Sequence, residues 1–409
     1  MELKTNYQYT YFIHPFIVKE NRYQKYLLKL LKDKKCNIKI FKKEKDLKLY
    51  KYFLPEIRKF LFSSFDFTPN KLKELEKLPI ETQSALLSRY PCTMFEYVLE
   101  KDIQGKTGEE KGIFFGIRKL EIICFNTGIC FLCIKTNIEN TNRFDDLLNF
   151  NYKFRDIKQQ FQLSSFDKIR IQTDAFEDVK SFTDFIGQIT GANLEAAKYD
   201  IDTERFLSYS YACIEQDYWN EYRKFENIEH NFIKFTNIMP ASNIASFIKD
   251  ESVTISEWKY AKLGLTKQGI TLFSSATEMN NYTILPEEFE TQYFYTYILN
   301  LYKKIYLKKL GFEFSNSKNV KKARKKFIEF TKKIWIQEIT EDEAGTIINH
   351  RLNEVLEHDS LYLSTKNKYD VLYKDLNIEK NSKSTIIIAF ILLASLIFNI
   401  MNFIQILNK

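Results

Sequence analysis

The chain has 409 residues, of which 44% are hydrophobic and 28% are charged, and its formal net charge is +8. This composition supports a large hydrophobic core and excludes wholesale disorder, while the scarcity of Gly (11) and Pro (7) excludes collagen-like and Pro-rich architectures. The length corresponds to two or three domains of ~100–200 residues. The positive charge is small for this length, so we predict no nucleic-acid partner.

The first twenty residues lack the uninterrupted apolar stretch and the small-residue cleavage site of a secretory signal peptide. The six cysteines are dispersed through the chain. We therefore expect free, buried thiols in a reducing compartment, with the N-terminal domain in the cytoplasm.

Residues 7–18 and 37–41 are short runs rich in β-branched and aromatic side chains, which predicts two strands. Apolar residues at helical spacing predict helices at 21–31 and 46–64. Pro55 lies inside the second of these, so it either kinks that helix or occupies its first turn.

The clearest strand pair is a hairpin over 120–136, where Asn126-Thr127-Gly128 separates two apolar runs. Further elements follow along the chain at similar spacing. We predict helices at 143–150 and 178–190, strands at 168–173 and 205–213, and a last hairpin over 255–275 with Gly264 and Gly269 bounding its turn.

After Pro286 the pattern becomes helical. Residues 287–310 are apolar on almost every side, which predicts a helix buried among other helices. A basic helix follows at 320–339 and a third long helix at 343–383. In the third helix, apolar residues recur every seven residues, as one core position of a coiled coil would, but the second core position is interrupted; a bundle or stalk is therefore predicted. The recurring residues are Ile348, Val355, Tyr362, Tyr369 and Leu376.

A dense basic patch lies at the start of the second helix. Three interpretations stay open: a solvated face, contact with anionic lipid headgroups at ~1 kcal/mol per basic residue, or binding of a phosphate-bearing small molecule. The patch consists of Lys318, Lys321, Lys322, Arg324, Lys325 and Lys326.

The C-terminal segment 384–408 contains no charged residue. As a helix at ~1.5 Å per residue, 385–407 would reach about 35 Å, enough to cross a ~30 Å hydrocarbon layer. The sequence therefore predicts one transmembrane helix, with a buried C-terminal core helix as the alternative. Because the upstream chain is Lys-rich, the positive-inside tendency predicts a single-pass protein of the cell inner membrane with a cytoplasmic N-terminal domain.

Polar residues inside this segment share one helical face. Ser395, Asn399 and Asn402 stand at i, i+4 and i+7, and Gln405 follows near the same stripe. Amides in hydrocarbon are unfavourable without partners, so the stripe predicts a homo-oligomer or pore. The alternative is an isolated anchor whose amides lie in the far headgroup region.

Candidate catalytic motifs fail on inspection. Gly105-Lys106-Thr107 lacks the earlier glycine of a phosphate-binding loop, since position 100 is Glu. Cys130 and Cys133 lie in an apolar strand, where residues three apart point to opposite faces, and no second pair completes a zinc set. We therefore predict no catalytic residues, no metal and no cofactor, and hence a protein that is not an enzyme.

The predicted order of a mixed α/β region, long helices, a stalk and a C-terminal span resembles the CorA-type divalent-cation channel superfamily. Met401 and Asn402, within the sequence Asn399-Ile400-Met401-Asn402-Phe403, are similar to the Gly-Met-Asn signature of that family, with Ile400 in place of the glycine. The resemblance implies a cytoplasmic funnel, a homopentamer and a pore lined by the span. It also extends to divergent CorA-like membrane effectors of prokaryotic defence, including those attached to type III CRISPR.

The predicted fold class is an α+β cytoplasmic region (1–280), a helical bundle and stalk (283–383) and one transmembrane helix (384–408). The predicted function is a C-terminally anchored membrane protein whose cytosolic domain gates a self-associating transmembrane helix. It would act as a channel or pore-type effector in antiviral defence, with a phosphate-bearing ligand such as a nucleotide as its signal. Two alternatives stay open, a membrane-tethered enzyme with its active site in 1–280 and a membrane adaptor.

Overall fold

The computed structural model describes residues 2–99, 104–107, 113–155, 169–172, 180–190, 196–202, 205–243, 252–316 and 320–407. The chain forms two compact units. The first comprises Met1–Tyr306 and Ile334–His358, and the second comprises Leu307–Lys333 and Asp359–Lys409. The predicted three-part division at 1–280, 283–383 and 384–408 stays a prediction.

One sheet runs through the first unit, with twelve strands among the described residues. The strands are β1 (Thr5–Ile17), β2 (Cys36–Ile38), β3 (Cys92–Tyr97), β4 (Gln104–Thr107), β5 (Ile113–Phe125), β6 (Ile129–Ile138), β7 (Ile169–Gln172), β8 (Lys180–Ser181), β9 (Leu207–Ile214), β10 (Val253–Trp258), β11 (Ala261–Thr266) and β12 (Gly269–Ser275).

The main path of the sheet has the order β10-β11-β12-β9-β1-β6-β5-β4-β7-β8, and β3 pairs with both β5 and β2 at the side. The pairing of β12 with β9 is parallel, and the other pairings between the described strands are antiparallel. The sheet is therefore mixed, with its longest strands, β1, β5 and β6, next to one another at the centre.

Along the chain, helices lie between the strands and after the last strand. The α-helices of the first unit are α1 (Tyr23–Lys32), α2 (Leu47–Tyr52), α3 (Pro55–Leu61), α4 (Pro69–Lys77), α5 (Ile80–Leu87), α6 (Phe144–Phe154), α7 (Phe182–Thr190), α8 (Glu229–Thr236), α9 (Leu285–Glu288) and α12 (Glu343–Val355). The remaining helices are α10 (Phe294–Asn316), which begins in the first unit, α11 (Val320–Lys333) and α13 (His358–Leu407).

The central strands are buried on both faces, which explains their nearly continuous apolar sequence. On one face, the ring of Phe12 on β1 lies 4.2 Å from that of Phe154 on α6, centroid to centroid. On the other face, Phe125 at the end of β5 stacks on Tyr302 of α10 at 3.9 Å. Helices therefore cover the two sides of the sheet within the first unit.

Several predicted elements are confirmed. The hairpin over 120–136 is the β5–β6 pair, and its turn needs Gly128, which has a φ of +84°. Pro55 begins a new helix, α3, at its first position, so the predicted helix at 46–64 is two helices. The predicted last hairpin has a third strand, β10, and its turn falls between Thr266 and Gly269, with Gly264 inside β11.

The predicted single helix at 343–383 is also two helices. α12 ends at Val355, and Glu357 adopts a left-handed φ of +59° before α13 begins at His358. A non-glycine residue rarely adopts this conformation, and here it separates α12 from α13. The apolar repeat every seven residues therefore crosses a break, and the prediction of one continuous helix over 343–383 is corrected.

A π-helical turn, Phe289–Tyr293, lies between α9 and α10. Tyrosine hydroxyls from the sheet satisfy backbone carbonyls around it. The Tyr9 hydroxyl donates to the carbonyl of Pro286 at 2.9 Å, and the Tyr209 hydroxyl donates to that of Phe289 at 2.5 Å. π-turns are rare and frequently occur at functional sites. This turn contains one acidic residue, Glu290.

The second unit contains α11 and most of α13. Aromatic rings join these helices: Phe327 lies 5.6 Å from Tyr362 and 5.3 Å from Tyr369 between ring centroids. Farther along α13, twelve described apolar side chains between Ile386 and Met401 are more than half exposed.

In the described part of the chain, no helix is both long enough and apolar enough to be a candidate membrane span. In the apolar segment of α13, the structure describes the side chains of residues 384–398, 400 and 401. This finding contradicts the predicted transmembrane helix at 384–408 and the fold class that included it. We correct that fold class to a large mixed sheet covered by helices and followed by further helices.

The same finding removes the basis of the predicted single-pass location in the inner membrane and of the predicted channel or pore-type function. The predictions of an ion channel and of a role in antiviral defence are corrected with it. The two alternatives, a membrane-tethered enzyme and a membrane adaptor, assumed the same anchor and lose that premise.

Candidate functional site

The residues predicted for a pore face lie on α13. Ser395 is exposed, and its hydroxyl donates to the carbonyl of Leu392 at 2.8 Å. The side chains of Asn399, Asn402 and Gln405 lie outside the described residues. Met401, which matches the methionine of the Gly-Met-Asn signature, is 56% exposed. The shared face stays a prediction, and its role in a pore is withdrawn with the channel.

The predicted basic patch is partly occupied by contacts within the second unit. The Lys326 ammonium contacts both carboxylate oxygens of Glu313, at 2.9 and 3.0 Å. The Arg324 guanidinium lies 4.7 Å above the ring of Tyr373. The side chains of Lys321, Lys322 and Lys325 are exposed, whereas Lys318 lies outside the described residues. Two of the six predicted cations therefore stabilise the fold.

The first unit contains a group of ionised side chains that sequence reasoning did not find. Glu121 on β5 is 2% exposed and forms ion pairs with Lys39 and, at 3.4 Å, with Lys119. The Lys39 ammonium also donates to the Tyr295 hydroxyl of α10 at 2.8 Å. These residues link the sheet to α10, and we call them, together with Tyr11, Lys135 and Glu290, the charged network.

Glu290 brings the π-helical turn into this network. One of its carboxylate oxygens accepts from the Tyr11 hydroxyl at 2.7 Å, and the other accepts from the Lys135 ammonium at 2.6 Å. Lys119 lies 4.0 Å from the same carboxylate, so Lys119 is shared between Glu121 and Glu290. The π-turn thus presents one carboxylate to three residues of the sheet.

The carboxylates of the network are ionised. Burial alone would raise the pKa of Glu121, but the charges of Lys39 and Lys119 and the hydrogen bond from Lys39 outweigh it and hold this pKa below its usual range. Burial opposes ionisation of Glu290 as well, and Lys135 and Tyr11 outweigh it in the same way. Neither carboxylate is therefore suited to proton transfer near neutral pH.

A β-bulge explains how the network is built. Ile117 faces Thr136 and Lys119 faces Lys135 across the β5–β6 pair, so Arg118 is an extra residue in β5. The Arg118 guanidinium donates to Asn137 and Glu139, each at 2.8 Å. Bulges redirect side chains and are common beside functional sites. Here the bulge places Arg118 on the same face as Lys119.

The bulge coincides with a gap beside β5. Strand β4 pairs with residues 113–116 of β5, and strand β3 pairs with residues 121–125. Residues 117–120 therefore lie between these two partners. A cleft of about 330 Å³ opens at this point. We call it the sheet-gap cleft; Asn37, Ile38, Glu96, Tyr97, Arg118 and Lys119 are among its lining residues.

A second cleft, of about 360 Å³, lies between the segment after β2 and helix α4. Its walls combine aromatic rings with charged side chains, and we call it the aromatic cleft. Its lining residues are Phe41, Lys42, Lys43, Glu44, Ser64, Phe65, Phe67, Lys73 and Glu76.

A further polar cluster lies at the base of α10. Lys303 is 2% exposed, and its ammonium donates to the carbonyl of Ile336 at 2.7 Å. His358 is 1% exposed, with Nε2 3.0 Å from the carbonyl of Asn300 and Nδ1 2.7 Å from Oδ1 of Asn353. Burial lowers the pKa of Lys303 to about 8.

This lysine yields a prediction about alkaline stability. Because the unfolded lysine has a pKa near ~10.4, the unfolded state binds more protons between the two values, and stability rises with pH there. Relative to the variant Lys303→Met, the wild type is expected to gain about 2 kcal/mol of unfolding free energy between ~pH 7 and ~pH 9.5. Urea unfolding of both proteins at each pH measures this gain, and parallel pH curves would contradict it.

No group of three or more His, Cys, Asp or Glu side chains in the described part of the chain is arranged to hold a metal ion. All six cysteines are free and buried. No protein-family model, curated protein or solved structure matches the chain. The resemblance to the CorA-type superfamily therefore stays a prediction from the sequence.

Proposed function

We propose that this protein binds a phosphate-bearing small molecule in the aromatic cleft. The observation that carries the proposal is the combination of a lysine rim with an aromatic floor in one opening. Its volume of about 360 Å³ falls in the range of small-molecule sites, ~300–1,000 Å³. The ligand class is the phosphate-bearing small molecule predicted from the sequence. The site proposed for it lies in the first unit and not in the basic patch of the second unit.

The floor of the cleft is a rigid group of rings. Phe41 is 4% exposed and lies 4.8 Å from Phe62 and 6.0 Å from Phe65, centroid to centroid. The Ser64 side-chain oxygen accepts from the backbone N–H of Phe41 at 2.9 Å, which leaves the hydroxyl proton available for another acceptor. The floor therefore offers both apolar contact and one hydrogen-bond donor.

The rim carries three lysines against two glutamates. Lys42, Lys43 and Lys73 are exposed, and none of them makes an ion pair among the residues that the structure describes. The Lys43 ammonium lies 4.7 Å above the ring of Tyr50, a contact that limits the positions of its side chain. Phosphate oxygens accept charge-assisted hydrogen bonds from such ammonium groups.

Titration with pyrophosphate, followed by calorimetry at low and high salt, tests the proposal. The double variant Lys43→Gln/Lys73→Gln is expected to bind at least about tenfold more weakly, because two charge-assisted contacts are lost. The control is Lys32→Gln, which removes one lysine from an exposed pair with Glu81 and should leave binding unchanged. Absence of pyrophosphate binding, or equal binding by the double variant, would reject the proposal.

A further inference from the structure

The sheet-gap cleft contains charges of both signs that do not satisfy one another. Glu96 on β3 lies opposite Glu121 on β5 and lines the cleft. Its carboxylate makes no direct hydrogen bond or ion pair with the described residues, and its charge acts on the Lys39 ammonium. Like charges directly opposite each other on neighbouring strands are destabilising, and Lys39, which is bound to Glu121, offsets part of that repulsion.

The positive charge at the cleft comes from the charged network. With Glu96 included, the carboxylates of Glu96, Glu121 and Glu290 balance the three ammonium groups of Lys39, Lys119 and Lys135. Lys119 is the most exposed of the three lysines, at 24%, and it alone lines the cleft. Its distances to Glu121 and Glu290, 3.4 and 4.0 Å, exceed the ~2.7–3.2 Å of a hydrogen bond, so its donors are not saturated.

Arg118 does not supply this charge, although it lines the same cleft. Its guanidinium is bound by Glu139 in an ion pair of 2.8 Å and by Asn137. The cleft therefore presents one ammonium group with only long contacts, on Lys119, and one carboxylate without a direct hydrogen bond, on Glu96. The amide of Asn37 and the apolar side chain of Ile38 complete the wall beside them.

We propose that the sheet-gap cleft binds a small amphoteric ligand, an amino acid or a short peptide, whose carboxylate is bound by Lys119 and whose ammonium group is bound by Glu96. A purely anionic ligand would meet the Glu96 carboxylate, and a purely cationic one would meet Lys119 and Arg118. A ligand that carries both charges complements both sides. This site is separate from the aromatic cleft and does not depend on the function proposed there.

The test is calorimetric titration of the full chain with free amino acids and with alanyl-alanine. For the tightest ligand, the N-acetyl derivative and the methyl ester are expected to bind at least about tenfold more weakly, because each loses one of the two charges. The variant Glu96→Gln is expected to lower affinity for the ligand about tenfold and to bind the N-acetyl derivative as the wild type does.

The matched control is Glu44→Gln, which makes the same chemical change in the aromatic cleft and should leave amino-acid affinity unchanged. Glu96 is only partly buried and makes no direct hydrogen bond or ion pair with the described residues, so Glu96→Gln should keep the wild-type circular dichroism spectrum and nearly the wild-type melting temperature. The proposal is overturned if no amino acid or alanyl-alanine binds, if the blocked derivatives bind as tightly as the parent ligand, or if Glu96→Gln and Glu44→Gln behave alike.

Discussion

Replacement of Glu121 by Gln is expected to lower the free energy of unfolding by about 3 kcal/mol, at the lower end of the range for breaking a buried ion pair. Glu121 is 2% exposed and is the partner of both Lys39 and Lys119, whose side chains are 18% and 24% exposed. The neutral amide leaves two ammonium groups without this counter-charge in a poorly solvated place. Urea unfolding at neutral pH measures the loss.

Two further variants make this prediction specific to charge. In Lys39→Met/Glu121→Leu both charged groups of the main pair are replaced by apolar side chains of similar size, and most of the lost stability is expected to return. Glu81→Gln breaks an exposed pair with Lys32, 3.6 Å long, and is expected to change stability by less than about 1 kcal/mol. A loss of under about 1 kcal/mol in Glu121→Gln would show that the pair contributes little.

Local sequence signals predicted much of the sheet. The turn at Asn126-Thr127-Gly128 requires a left-handed glycine and joins strands that are adjacent in the chain, so its hairpin could be recognised from a short window. The order of the sheet could not, because β1 pairs with β6 and β9, which follow it by more than a hundred residues. Such pairings depend on tertiary packing rather than on local pattern.

The C-terminal half shows how composition can mislead. The prediction of a membrane span used the absence of charge and the helical length of 384–408, and no helix in the described part of the chain is long and apolar enough to be a candidate span. The prediction of one long helix at 343–383 followed apolar spacing across Glu357, whose left-handed backbone ends α12. Glutamate favours helix by intrinsic propensity, so no residue-level signal marks that break.

The candidate site was hidden for a related reason. Lys39, Glu121, Lys135 and Glu290 come from four distant segments, and each is an ordinary charged residue in its own sequence context. The local hint is a group of three charges, Arg118, Lys119 and Glu121, inside an otherwise largely apolar strand. A charged residue in a two-sided buried strand needs a partner from elsewhere, and that pattern could have marked β5 as the place to look.

Acidification from about pH 7 to about pH 4 is expected to remove about 3 kcal/mol of unfolding free energy through each of two buried histidines. Burial lowers the pKa of His14 to about 4. Burial, together with the positive charge of Lys303, lowers the pKa of His358 to about 3. Unfolded histidine has a pKa near ~6.5, so the unfolded state binds the additional protons in this window. Stability is therefore full above that value and is lost as the pH falls toward the folded-state values.

Tryptophan fluorescence is a suitable signal, since Trp219, Trp258 and Trp335 all lie in the first unit with both histidines. His358→Gln is expected to flatten the dependence of unfolding free energy on pH by about one proton between ~pH 6 and ~pH 4, whatever its effect on stability at neutral pH. The control is His350→Gln, which makes the same chemical change at a side chain that is 71% exposed. If His358→Gln and His350→Gln gave the same slope as the wild type, His358 would not be the group that takes up the proton on unfolding.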